Sequence, residues 1–192
     1  MTPEQERSWD MTEVQPFVVR LFGAARIDPK VYDQVASDPA ATNQAAVVVA
    51  LSALAQAIGG PERIAIAEIP IALAWSYFSW LIPGTLVWLV AVRVLKHEAD
   101  LPRVLRCVGF ATAPQIYWLL GLLPIEAEAF RLAIGVVVFM MALVANVIAI
   151  REAFAVPTLR AAVIFAGGFL AFALLAVALG SILATLGGFA PA

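Results

Sequence analysis

The sequence predicts an all-α, polytopic transmembrane bundle of five helices, preceded by N-terminal interfacial amphipathic helices, and three observations carry that prediction. Of 192 residues, 62% are hydrophobic and 14% charged, with a mean hydropathy of +0.91, whereas soluble domains run nearer about 45–50% apolar and about 25% charged. Apolar runs of bilayer-crossing length recur along the chain. Basic residues gather on alternate sides of those runs. The net charge of −2, from 12 Lys+Arg against 14 Asp+Glu, leaves no positive excess for binding nucleic acid. One cysteine, Cys107, and one histidine, His97, cannot make a disulfide and supply too few donors for a zinc site, so no metal or other cofactor is expected.

Taken in order, residues 1–16 carry Glu4, Glu6, Asp10 and Glu13 against Arg7 and lack the basic start and apolar middle of a signal peptide. They are expected as a mobile acidic tail with no cleavage. Residues 17–38 are expected as cytoplasmic interfacial helices. Phe17, Leu21, Ala24 and Ala25 fall at helical spacing, with Arg20 and Arg26 turned elsewhere, which suits a helix on a membrane surface. Asp28-Pro29 and Asp38-Pro39 each read as an N-cap acid followed by a first-turn proline, so helices should restart near 29 and 39.

Residues 39–188 are read as the bundle and 189–192 as an external tail. The first span ends at Gly59-Gly60-Pro61. Its apolar part, Asn43 to Ile58, reaches only roughly 24 Å at about 1.5 Å per residue, short of a full crossing unless Ala40 to Thr42 also enter the bilayer. Ile71–Leu95, Val104–Leu123, Phe130–Ile150 and Leu159–Leu186 are the other four. Ten of the basic residues precede span one or lie at the connections of spans two–three and four–five, and only Arg63 and Arg131 fall on the other side. That asymmetry places the N-terminus in the cytoplasm and the C-terminus outside. The alanine-rich, loop-poor composition fits a bacterial inner membrane.

No Asp, Glu, Lys, Arg or His lies deep in a span, which argues against a proton-coupled carrier. No catalytic set of residues is visible, so no enzyme is expected and no catalytic residue is named. His97 reads as a solvated loop residue. Pro83 and Pro114 stand at the middle of spans two and three and are expected to interrupt both helices at similar depth, freeing the carbonyls of Ser79 and Phe110. Gln115 is the polar candidate to satisfy them. Ser79, Pro83, Pro114 and Gln115 therefore form a candidate midplane polar site. A polar cavity there would favour a transporter, and a midplane filled with Leu, Ile and Trp a packing role.

Gln44, Gln56 and Asn146 read as interhelical amide glue. Ala176, Gly180, Ala184 and Gly188 form a small-residue stripe that would face a neighbouring helix or a second copy of the chain. Trp80 is too deep for an interfacial anchor and reads as packing or lipid contact. At the cytoplasmic end Arg93, Arg103, Arg106, Arg151 and Glu152 are expected to gather with Asp28, Asp33 and Asp38 as a docking rim, with Tyr32 supplying an aromatic contact.

Asp28, Tyr32, Val35, Asp38-Pro39 and Thr42 before the first span, the run Gly109-Phe110-Ala111-Thr112-Ala113-Pro114, and Arg151-Glu152-Ala153 after span four together resemble the Yip (Ypt/Rab-interacting, Yip-one domain) family in its compact bacterial form. The likeness covers about residues 17–186. It implies a cytoplasmic N-terminal region, a five-helix bundle, and partners among membrane lipids and other membrane proteins. Eukaryotic relatives associate with small GTPases and carry an Asp-Leu-Tyr-Gly-Pro motif that is not found here, so that partnership is not carried over. The expected function is a non-enzymatic scaffold, accessory or assembly subunit, or membrane-organising protein, and the alternative is a small transporter or channel using the midplane site near Pro83 and Pro114.

Overall fold

The computed structural model describes residues 11–61, 64–125 and 128–187. Seven α-helices and one long 3₁₀ segment account for nearly all of them: α1 Met11–Ala25, α2 Pro29–Ser37, α3 Ala41–Gly59, α4 Ile69–Leu89, α5 Leu101–Phe110, the 3₁₀ segment Ala113–Leu122, α6 Glu128–Phe154 and α7 Thr158–Gly187. Among the described residues there is no strand.

The first Asp-Pro step acts as the sequence predicts; the second does not cap its helix, because Asp38 closes α2 and α3 opens only at Ala41 with Ala40 at the N-cap. The Asp28 carboxylate accepts from Lys30 N at 3.0 Å and Pro29 opens α2. The Asp38 carboxylate accepts from Ala40 N at 2.9 Å just ahead of α3. Helix α1 starts at Met11, earlier than the expected Phe17. It closes in a Schellman turn, with Ile27 N donating to Ala24 O and Asp28 N to Gly23 O. Ile27 takes the left-handed position at φ 61, an uncommon place for a β-branched residue.

Four helical stretches are long and apolar enough to cross a membrane: Ala41–Gly59, Ile66–Val94, Glu128–Phe154 and Thr158–Ile182. With 19 residues, α3 reaches about 28 Å at about 1.5 Å per residue, longer than its apolar stretch alone suggests. Large apolar side chains cover the outside, among them Ile71, Phe78, Leu132, Phe169 and Val177, as a lipid-facing surface requires. Inside, small residues let helices approach closely: Ala41, Ala45, Val48, Val49 and Ser52 of α3 are buried against α5 and the 3₁₀ segment.

Two expectations need correction. Pro83 does not interrupt its helix: α4 runs unbroken from Ile69 to Leu89 and widens into a π turn only at Val90–Val94. Proline removes one amide donor, while the helix goes on around it; two residues on, Thr85 Oγ1 donates to Leu81 O at 2.7 Å. Around Pro114 the chain does change geometry, but the stretch expected as one membrane helix is two shorter ones. Helix α5 ends at Phe110, and a ten-residue 3₁₀ segment follows from Ala113, where runs beyond about three or four residues are uncommon. The 3₁₀ segment lies against α3 so closely that a methyl group on Gly59 would fall on the Trp118 carbonyl, and one on Gly121 on the Gly59 carbonyl.

Helix α7 packs on α4 and α6, with Gly168 over the Val87 backbone. Farther along, Leu174, Val177, Leu179 and Ile182 are exposed and nothing lies within 4 Å of a Cβ built on Gly180. Of the small-residue stripe, Ala176 is exposed, while the Ala184 side chain and Gly188 fall outside the described residues.

Candidate functional site

Helix α2 caps one end of the bundle against α5 and α6, α1 packs on α2 and along the 3₁₀ segment, and charged side chains fix this cap there. Arg106 of α5 is 8% exposed. Its Nε donates to Val35 O at 3.2 Å and an Nη to Ala36 O at 3.0 Å. Those are last-turn carbonyls of α2, where a cation also meets the negative end of the helix dipole. Arg20 of α1 donates to the Asp38 carboxylate at 2.7 Å and to the Gln44 side-chain oxygen at 3.1 Å, joining α1 to the start of α3. That hydrogen bond from Arg20 is the main reason the Asp38 carboxyl lies below its ordinary value; the Ala40 amide and the charges of Arg20 and Arg106 add to it, against an opposing effect of burial. Tyr32 is fully buried and donates to Ala24 O at 3.1 Å, and burial raises its phenol above the ordinary range. On the far side Arg103 donates to Glu152 O at 3.1 Å, and Arg151 pairs with the adjoining Glu152 at 2.6 Å.

The predicted rim residues therefore share one end of the molecule, but several are used internally. Arg106 and Tyr32 are buried, and so Tyr32 offers no aromatic contact to an outside partner. Asp28 caps its own helix instead of meeting a basic residue. Asp33 and Arg93 are exposed, and no ion pair forms at either among the described residues. His97 is half-buried, its ring 6.4 Å from that of Phe154. Arg20 stands outside the rim that the sequence predicts, because its partner Asp38 lies 18 residues away, a separation that helical spacing does not relate.

Toward the other end, a cavity of about 590 Å³ opens among α3, α4, α5, the 3₁₀ segment, α6 and α7. It is lined by three of the four midplane candidates, Ser79, Pro83 and Gln115, together with Gln56, Ser76, Thr112 and Asn146. Pro114, the fourth, is buried. At the break beside Pro114 the Thr112 carbonyl accepts from Ser52 Oγ at 2.9 Å and from the backbone N–H of Gln115 at 2.9 Å, while Thr112 Oγ1 donates to Gly109 O at 2.8 Å and lies 3.2 Å from Ser52 Oγ. Asn146 donates to Ala142 O of its own helix at 2.8 Å. Trp80 is a packing residue, its indole N–H on Leu105 O at 2.9 Å. Gln56 and Asn146, interhelical glue by their sequence pattern, join the cavity because α3 and α6 each pack on the 3₁₀ segment, which no spacing within either helix reveals.

Among the described residues, no group of three or more His, Cys, Asp or Glu side chains is placed to hold a metal ion. No curated protein and no solved structure matches the chain. The family model described as the Yip1 domain matches residues 27–180. That match runs from the turn after α1 deep into α7 and takes in the Asp-Pro steps, the Gly109–Pro114 run and Arg151-Glu152-Ala153, all of which the structure places in or beside the cap and the break. The chain belongs to the Yip1 domain family.

Proposed function

We propose that this Yip1-family membrane protein acts without catalysis, as a scaffold, accessory or assembly subunit, or membrane-organising protein of a bacterial inner membrane. The observation that carries the reading is the cap. Buried Arg106 fastens α2 to the bundle, while α1 turns Val18, Val19 and Phe22 outward. An apolar face held at a fixed place beside the membrane suits contact with lipid or with another membrane protein. Asp28, Asp33 and Arg93 supply the exposed charges near it, and Tyr32 and Arg106 keep it in position. In this reading the chain crosses five times, because α5 and the 3₁₀ segment serve together as one span. Ten residues at about 1.5 Å and ten at about 2.0 Å reach about 35 Å, enough for a hydrocarbon core of about 30 Å. Self-association through Ala176, Gly180 and Ala184 belongs to the same reading.

The test is affinity isolation of the full chain in mild detergent, comparing the parent with Val19→Asp and Phe22→Asp. A stoichiometric companion membrane protein, lost in the variants while the bundle still unfolds at the parent temperature, is the expected result. Identical recovery of companions from parent and variants would remove the cap from the interaction.

The cavity favours a second reading, a small transporter or channel, because polar side chains line it at the depth of Pro83. Solute flux into proteoliposomes, absent in protein-free vesicles, tests that reading directly.

A further inference from the structure

The cavity lining combines hydrogen-bonding capacity with a lack of charge. Its polar side chains are the amides of Gln56, Gln115 and Asn146 and the hydroxyls of Ser76, Ser79 and Thr112, and no Asp, Glu, Lys, Arg or His lines it. Ser79, Thr112 and Asn146 each donate within the protein. The side-chain amides of Gln56 and Gln115 have no hydrogen-bond partner among the described residues, and neither does the Trp75 indole N–H. An amide that faces lipid without a partner is disfavoured, because the medium offers no hydrogen bond in exchange for water's. Gln56 is exposed and Gln115 half-buried, so both amides are open to an occupant of the cavity that hydrogen-bonds.

We propose that this cavity is a binding site for an uncharged polyhydroxyl group, whether the glycerol headgroup of a neutral lipid or a free sugar, bound by Gln56 and Gln115 beside Trp75. An amide offers a donor and an acceptor together, which matches a hydroxyl group that is both. An indole adds a flat apolar face with a polar edge. A charged ligand would lose its hydration and find no counter-charge. The volume of about 590 Å³ equals about 20 water molecules at about 30 Å³ each and falls within the usual range for small-molecule pockets. Gln56, Trp75 and Ser79 are the polar or aromatic lining residues that stay exposed, and their helices present Ile58, Ile71, Phe78 and Leu81 to the outside. The mouth thus opens on the apolar surface, where a lipid headgroup has direct access. The site rests on the second reading above only for its location, since binding needs no passage across the membrane.

The experiment places the full chain in phosphatidylcholine nanodiscs and reads binding by tryptophan fluorescence, with native mass spectrometry as a second measure. One arm raises the monooleoylglycerol content of the disc, whose headgroup keeps two free hydroxyls, a second adds glucose to the buffer, and a third replaces monooleoylglycerol with dioleoylphosphatidic acid. Saturable binding in the first arm identifies the membrane as the source, and in the second the aqueous phase. Phosphatidic acid should bind at least tenfold more weakly. Gln56→Leu and Gln115→Leu should each weaken the neutral ligand at least tenfold. Gln115 sits in the packed 3₁₀ segment, so Trp75→Leu, at a side chain 65% exposed, provides a variant that spares the core and should also weaken binding. No saturation in either neutral arm, or affinities unchanged in all three variants, overturns the proposal, as does equal binding of phosphatidic acid. A neutral ligand that binds but is never moved in a flux assay leaves the site standing and removes only the transport reading.

Discussion

Arg106 carries more of the cap than any other single side chain, because it is buried, charged and bonded to two carbonyls of a helix about 70 positions earlier in the chain. Hydrogen bonds from a charged donor are worth about 1.5–3 kcal/mol each, although removing the arginine also relieves the cost of burying its charge. Arg106→Met should therefore loosen α2 by about 1.5–3 kcal/mol, read as a roughly ten- to hundredfold loss of hydrogen-exchange protection at amides 29–37. Unchanged protection would mean that apolar packing of Val31, Tyr32 and Val35 holds the cap unaided. Asp38 gives a pH-dependent counterpart. Its carboxyl lies below the ordinary value, chiefly through the Arg20 hydrogen bond. The stabilisation is thus complete above the unfolded-state value of about 3.9 and is lost as pH falls through the lower folded-state value. With side-chain exposures of 18% and 30%, the pair is worth only about 0–1 kcal/mol. Asp38→Asn should match the acidified parent in cap protection and should itself show little further response over that pH range; an equal acid response in both would assign the effect to another group. At this scale the sequence reveals which residues are expensive to bury near a membrane, and Arg106 was among them. That it turns inward could not be read, because its partners are backbone carbonyls, which every residue has.

At the scale of elements, the closest packing lies between α3 and the 3₁₀ segment. Their backbones meet at Gly59 and Gly121, where no room exists for even a methyl group. Gly59→Ala should cost about 1–3 kcal/mol through overpacking, and more if the backbones cannot separate. Gly180→Ala is the control: with open space around it, it should be neutral or stabilising by up to about 1 kcal/mol from helix propensity. Thermal unfolding in detergent compares the two, and a Gly59→Ala protein as stable as Gly180→Ala would show that the close approach is relaxed in solution. Gly59 was legible as a helix stop but not as a contact, since its neighbour comes 59 positions later. Pro83 and Pro114 illustrate the same limit. Both remove an amide donor, yet α4 continues past Pro83, whereas near Pro114 the hydroxyls of Ser52 and Thr112 meet backbone carbonyls at the break. A proline thus marks where a helix can break, and polar neighbours supplied by other elements help decide whether it does.

For the whole molecule, the periodicity and length of apolar runs were enough to expose a helical membrane protein, because lipid leaves so few backbone solutions open. The cavity was half legible: Ser79, Pro83 and Gln115 could be suspected from depth alone, while Gln56 and Asn146 required knowing which helices pack on the 3₁₀ segment. Orientation is the property that sequence and structure argue jointly. Helix α2 packs on α5 and α6, and Arg20 reaches Gln44 at the start of α3. The cap, the 96–103 connection and the 155–157 turn therefore share one end, together with Arg93, Arg103, Arg106, Arg151 and Arg160. Arg131 lies at the opposite end, beside Gly59, Gly60 and Gly121. Basic residues near span ends are retained on the cytoplasmic side, so the cap end should be cytoplasmic and the end of α7 external. The native thiol, Cys107, is fully buried and should stay silent toward a membrane-impermeant reagent, which makes introduced cysteines readable one at a time. In intact cells Ala192→Cys should label, while Glu4→Cys and Asp100→Cys should label only after the membrane is opened. Labelling of Glu4→Cys and Ala192→Cys from the same side would require an even number of crossings. It would then remove α5 and the 3₁₀ segment as a span and leave the four continuous helices to cross alone.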